Sequence, residues 1–236
     1  MLNGLLLINK PILYTRHDVV DSVRRVLGER RVGHAGTLDP MATGLLVIMV
    51  GPSTSLFDAL SRDDKRYDGV MTLGFSTTTL DAEGVIVRAG DPAAVTAAAV
   101  KNTFLEFTGA ITQTAPLYSA AKKDGRKGYE AARRGQDFVA PVKNVEVKEL
   151  ALEAFENPDA FFACRVSRGT YIRTLMSDIG DRIGVPATLM SLRRTACGPF
   201  DLKDAITLGA LGRMSRAEIV LELGRNLERA SAKIRS

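Results

Sequence analysis

Short apolar runs rich in β-branched residues punctuate the chain at Leu5–Asn9, Gly44–Val50, Arg66–Gly74, Gly84–Arg88, Val142–Phe155 and Phe161–Ser167, and each reads as a strand. Elsewhere the apolar positions recur every three or four residues. Val19, Val20, Val23, Val26 and Leu27 share one face of Asp18–Leu27, and Thr15 with Asp18 three residues on is a capping-box-like start. Pro92–Phe107 predicts a second helix, with Asp91 as N-cap and Pro92 at the first position. Thr170–Ile183 predicts a third, whose core stripe is Ile172, Leu175, Met176, Ile179 and Ile183. Strands and helices do not alternate regularly, which disfavours a doubly wound parallel sheet. The expected class is α+β: a mixed, mostly antiparallel sheet with helices packed on it.

Two segments break this pattern. Residues 112–140 show no apolar period and carry Lys122, Lys123, Arg126, Lys127, Arg133 and Arg134, with Tyr118 and Tyr129 among them. Such a stretch suits a basic, RNA-contacting insertion or a surface loop. The last segment, 211–236, reads as an amphipathic helical tail running through Ile219, Leu223 and Leu227, docked on a body of residues 1–210.

Composition narrows the class only a little. The 236 residues allow a sizeable core, and no apolar run approaches a membrane span or a signal segment, so a soluble, cytoplasmic protein with no membrane partner is expected. Cys164, Cys197, His17 and His34 are the candidate zinc ligands, but no two are locally paired, and no metal site is expected. The 32 Lys and Arg outnumber the 27 Asp and Glu, giving +5. Many of the cations come in pairs: Arg24/Arg25, Arg30/Arg31, Arg133/Arg134 and Arg193/Arg194. Pairs suit a surface that follows a phosphate backbone, and equally suit solvated helix faces.

The stretch GHAGTLDPMATGLL at Gly33–Leu46 isolates one carboxylate, Asp39. Pro40 holds Asp39 extended and stops any helix, while Gly33 and Gly36 permit positive φ or close backbone approach. The apolar residues that follow anchor the turn to a core strand. Asp39 is then either a pre-oriented reacting group or an ordinary turn residue before proline. No phosphate-binding glycine loop, GxSxG, HExxH or CxxC is present, which leaves a carboxylate enzyme on a basic scaffold or a binding protein.

Four ordered blocks narrow this further. GHAGTLDPMATGLL resembles the defining motif of the TruB family of tRNA pseudouridine synthases. NKP at Asn9–Pro11 followed by HDVVDSVRRV, KRYDGVMTLGFSTTTLDAEG at Lys65–Gly84, and RGTYIRTLMSDIGDRIG with LRRTACGPF at Arg168–Phe200 resemble its other motifs. The resemblance spans roughly residues 3–205. It implies a pseudouridine synthase fold that isomerises uridine 55 in the T-stem loop of tRNA, without cofactor or metal, as a monomer. It makes Asp39 the catalytic aspartate, Tyr67 the residue stacked on the target base, Arg173 the partner of Asp39, and Leu192 a packing residue for the base. Tyr171, Asp81 and Lys10 would shape the pocket, and His34 would fill the space that the extruded base leaves. A non-catalytic RNA-binding or RNA-folding module on the same fold is the alternative.

The implied chemistry breaks the N1–C1′ bond, turns the uracil and joins C5 to C1′. A carboxylate can stabilise or trap the oxocarbenium-like ribose, as in glycosidases, or remove the C2′ proton. The base must first be flipped out of its stack. Two departures stand out. Leu13 and Arg16 occupy places where the family has glycine and the second residue of a Thr-Ser pair, and Ala115–Pro116 stands for Pro-Pro. The chain is also expected to lack the C-terminal PUA domain common in full-length relatives.

Overall fold

The structure, a computed structural model, describes residues 2–118, 122–123, 126–127 and 140–235. Two compact units emerge: residues 1–67 with 193–236, and residues 68–192. The chain leaves the first unit within one strand, after Tyr67, and returns to it within another, after Leu192.

In the first unit the chain begins with β1 (Gly4–Lys10), α1 (Arg16–Leu27), β2 (Val32–Ala35), β3 (Thr43–Val50) and α2 (Phe57–Ser61), and then enters β4 (Lys65–Leu73). β3 is the organising strand: its run TGLLVIMV is buried on both faces, so it needs no polar alternation. β1 pairs antiparallel along all of one side, from Gly4↔Val50 to Lys10↔Gly44. On the other side β2 takes the far half, from Val32↔Val50 to Ala35↔Val47. α1 starts at the capping box read from sequence, with Thr15 as N-cap and Asp18 closing the reciprocal bond. Its buried face is Val19, Val20, Val23 and Leu27, whereas Val26, expected on that face, is exposed.

The second unit holds the rest of β4, the hairpin β5 (Phe75–Thr77) and β6 (Ile86–Ala89), α3 (Ala97–Glu106), β7 (Gly109–Thr114), the short pair β8 (Lys122–Lys123) and β9 (Arg126–Lys127), β10 (Val142–Glu156), β11 (Asp159–Val166), α4 (Ile172–Ile183) and most of β12 (Ala187–Cys197). β10 is the central ladder, antiparallel to β11 and to β7. β11 alternates cleanly, with Ala160, Phe162, Cys164 and Val166 buried. α3 packs on β10 and against α4. α3 begins at Ala97 behind Thr96, whose side chain accepts from Ala99 N–H, and not at Pro92. Asp91 instead caps a turn, accepting from Ala93 N–H, because Val95 N–H closes on Pro92 O and ends that turn before a helix can start. Thr112–Thr114, read in sequence as the start of the basic segment, belong to β7. Tyr129, Arg133 and Arg134 lie outside the described residues.

Back in the first unit come the end of β12, β13 (Phe200–Asp201), α5 (Leu208–Leu211) and α6 (Arg216–Arg235). Residues 193 and 194 pair parallel with β3, Arg193↔Thr43 and Arg194↔Gly44; every other strand register described is antiparallel. The core of this unit joins Leu5, Leu7, Leu45, Val47 and Met49 to Leu60, Phe200 and Ala230. The amphipathic tail is α6, laid on β1. Asn226 Nδ2 donates to Leu5 O at 3.2 Å, and the α6 backbone at Leu223 comes so close to Gly4 that a Cβ there would lie 2.3 Å from its carbonyl oxygen.

Candidate active site

Between β2 and β3 the chain makes a wide loop, 36–42, with Asp39 half-buried in its middle. Ala42 N–H donates to Asp39 O at 3.1 Å, so Asp39–Ala42 is a turn with Pro40 at its second position, where the proline ring pre-sets φ.

Two buried cations hold this loop, one from each strand beside Gly44. From β12, Arg194 is 1% exposed and bridges both arms. Its Nε donates to Leu45 O at 2.7 Å, Nη1 to Thr37 O at 3.3 Å and Nη2 to Gly36 O at 3.4 Å. From β1, Lys10 is fully buried, and its Nζ donates to Pro40 O at 3.1 Å, Tyr14 O at 2.6 Å and Pro11 O at 2.9 Å. Gly44, in register with both, has φ 97°, and a Cβ there would stand 2.4 Å from Arg194 O. Only glycine fits. Gly36 also has positive φ (86°), whereas Gly33 lies in extended β2 and needs no such freedom.

Arg194 corrects the reading of Arg193/Arg194 as a surface pair: Arg193 is exposed, and Arg194 is structural. The missed signal was strand periodicity. Leu192 and Arg194 are buried either side of exposed Arg193, as a strand over 187–197 requires.

His34, in β2, is half-buried, and its Nδ1 makes no hydrogen bond within normal geometry among the described residues. Burial first, then the nearby charges of Arg16 and His17, lower its pKa to about 4, so the ring is neutral near neutral pH. Tyr67 lies in the same unit, buried in β4. Two residues before it, the buried Lys65 Nζ donates to Ser61 O at 2.7 Å and to Asp63 O.

Arg173, Asp81, Tyr171 and Leu192 belong to the second unit. Arg173, in the first turn of α4, is held on three sides: Nη1 donates to Thr79 O at 2.8 Å, Nη2 to Tyr118 O at 3.0 Å, and Nε lies 3.6 Å from Asp81 Oδ2. Asp81 also accepts from Thr79 Oγ1 and from Glu83 N–H through Oδ1. The T-x-T-x-D block is therefore a folded carboxylate turn that grips a guanidinium. Tyr171, the residue before α4, has its backbone read twice by buried Gln113: Tyr171 N–H donates to Oε1 at 3.0 Å, and Nε2 donates to Tyr171 O at 3.3 Å. Sequence reasoning missed Gln113 by placing it in the polar segment. Leu192 is buried in β12.

The first unit thus offers a carboxylate on a clamped loop and a neutral imidazole on the strand that leads into that loop, and the second offers an oriented guanidinium. Among solved structures, a Cbf5–Nop10–Gar1 complex contains a chain similar to this one, with TM-score 0.71 and 29% identity over 96% of this chain and 59% of that one. This chain therefore spans less than two thirds of that protein's length, and the architecture they share is the pseudouridine synthase fold. The chain belongs to the TruB family of tRNA pseudouridine synthases: residues 24–172 match the TruB family pseudouridylate synthase N-terminal domain, and residues 173–222 match the tRNA pseudouridylate synthase B C-terminal domain. It is 41% identical to tRNA pseudouridine synthase B of Syntrophotalea carbinolica, over 96% of this chain and 75% of the relative. The protein of the same name from Opitutus terrae is also 41% identical, over 92% of this chain and 90% of the relative. Among the described residues no helix is long and apolar enough to cross a membrane.

Proposed function

We propose that this enzyme converts uridine 55 in the T-stem loop of tRNA to pseudouridine, acting as a cytoplasmic monomer. The observation that carries this reading is the Asp39 loop, clamped by Lys10 and Arg194 through hydrogen bonds to three of its backbone carbonyls, those of Gly36, Thr37 and Pro40, while the same two cations also hold the flanking carbonyls of Pro11, Tyr14 and Leu45. A turn aspartate serving only the fold would not require two buried cations to fix the loop around it.

The uridine is flipped out of its stack, at a cost of a few kcal/mol. Asp39 then acts on the ribose as the N1–C1′ bond breaks, either at C1′ or at the C2′ proton. The detached uracil turns while bound, C5 bonds to C1′, and the proton on C5 leaves to solvent while N1, freed from C1′, takes one up. Tyr67 stacks on the base and Leu192 packs against it. Arg173 serves the same nucleotide as the partner of Asp39, with Asp81 and Tyr171 shaping its surroundings. Neutral His34 takes the place of the extruded base, a role that suits an uncharged ring better than a phosphate contact would. The fixed loop pre-orients the carboxylate, so little reorganisation accompanies the reaction.

The site of modification is tested with tRNA transcripts carrying [5-³H]uridine. Tritium release from a transcript with uridine at 55, and none from one with cytidine there, supports the assignment. Release from both would place the target elsewhere, and binding without release from either would favour an RNA-binding or RNA-folding module.

A further inference from the structure

The segment joining β1 to α1 has features that the fold does not need. Ile12, Leu13 and Tyr14 are consecutive, and they are 59%, 73% and 43% exposed. Isolated exposed apolar residues are ordinary; three in a row on a short connection mark a contact surface. Leu13 has φ 67°, a left-handed conformation that a bulky side chain adopts only under strain and glycine adopts freely. The strain is held in place by the Asp39 turn: Leu13 N–H donates to Pro40 O at 3.0 Å, and Lys10 ties Tyr14 O to the same carbonyl.

Charge points the same way. Arg16 and His17 open α1, where a cation opposes the helix dipole. The helix start is already served by Thr15 and Asp18, so neither side chain is there to cap it. Arg16 also stands near enough to His34 for its charge to add to burial in lowering that ring's pKa. The connection therefore presents a run of apolar and aromatic groups followed at once by positive charge, tied to the loop that carries Asp39. Stacking groups beside cations recognise unstacked bases on a phosphate backbone.

We propose that Ile12, Leu13 and Tyr14 form a platform on which the nucleotides flanking the flipped uridine stack, with Arg16 contacting a phosphate of the same strand. This rests on the reading of the chain as a uridine-isomerising enzyme. It gives the strained Leu13 a purpose: a side chain placed where glycine would be easier on the backbone but would offer nothing to a base.

The test combines thermal melting with steady-state tritium release from [5-³H]uridine tRNA for Leu13→Gly, Ile12→Ser/Tyr14→Ser and Arg16→Ser. Leu13→Gly is expected to melt at a higher temperature yet show KM raised about five- to tenfold, with the loss in KM rather than kcat. The Ile12→Ser/Tyr14→Ser protein should show a similar rise in KM. Arg16→Ser should reduce the slope of log affinity against log salt by about 0.7–0.9. Wild-type KM in both Leu13→Gly and the double variant would overturn the platform. If the wild type binds tRNA but releases no tritium, the enzymatic reading has failed instead. The platform is then judged by tRNA affinity, which the same variants should weaken about five- to tenfold.

Discussion

Arg194 and Lys10 are buried cations spent on backbone carbonyls, and their removal should cost more than any surface charge. Arg194→Met leaves the buried Leu45 carbonyl and the part-buried carbonyls of Gly36 and Thr37 each short of a donor. The expected loss is about 3 kcal/mol, read as a lower urea midpoint at unchanged m-value. His34 makes a prediction with a definite sign. Its folded pKa of about 4 lies below the unfolded value of 6.5. Between those values an unfolded chain takes up a proton that the folded ring resists, so His34 subtracts stability as pH falls from 6.5 to 4 and has no effect above that window. NMR titration of the ring should give a midpoint near 4, and His34→Gln should flatten this part of the acid limb. Asp39 was legible in sequence because glycine, proline and an apolar strand frame it. Arg194, Lys65 and Gln113 were not, because a buried cation or amide looks like a surface one until the strand that carries it is recognised.

At the scale of elements, Gly44 decides whether β3 can lie against β12. Gly44→Ala would set a Cβ 2.4 Å from Arg194 O at φ 97°. Both effects act against the same pair of strands, and a loss of at least ~2 kcal/mol is expected, with a fall in kcat because the Asp39 loop springs from that residue. Thr15→Ala removes the capping box of α1 and should cost about 1 kcal/mol, seen as a lower melting temperature. The elements that sequence revealed, β1, β3, β4, β10 and β11 with α1, α4 and the tail helix α6, are those whose apolar residues form an uninterrupted run or a regular period. It overlooked β2 and β12, whose runs VGHA and ATLMSLRRTAC hide their alternation behind glycine, histidine and paired arginines. α3 was placed early because Asp91–Pro92 looks like a helix start, whereas Thr96 performs the capping.

For the molecule as a whole, family membership rests on family-model matches from residue 24 to residue 222 and on relatives 41% identical over nearly the whole chain. The α+β class and its mostly antiparallel pairing were legible from the irregular order of strands and helices. The division within β4 and β12 was not, because nothing in a strand's own pattern reports which unit each half joins. With a formal charge of +5, tRNA binding should weaken linearly in log affinity against log salt, checked by filter binding between 50 and 200 mM salt. The account depends most on Asp39. Tritium release from [5-³H]uridine tRNA by wild type and by Asp39→Asn tests it directly, with binding measured on both proteins. The account predicts release by the wild type and none above background for the variant, with tRNA binding and melting temperature retained. Equal release by the two proteins would contradict it.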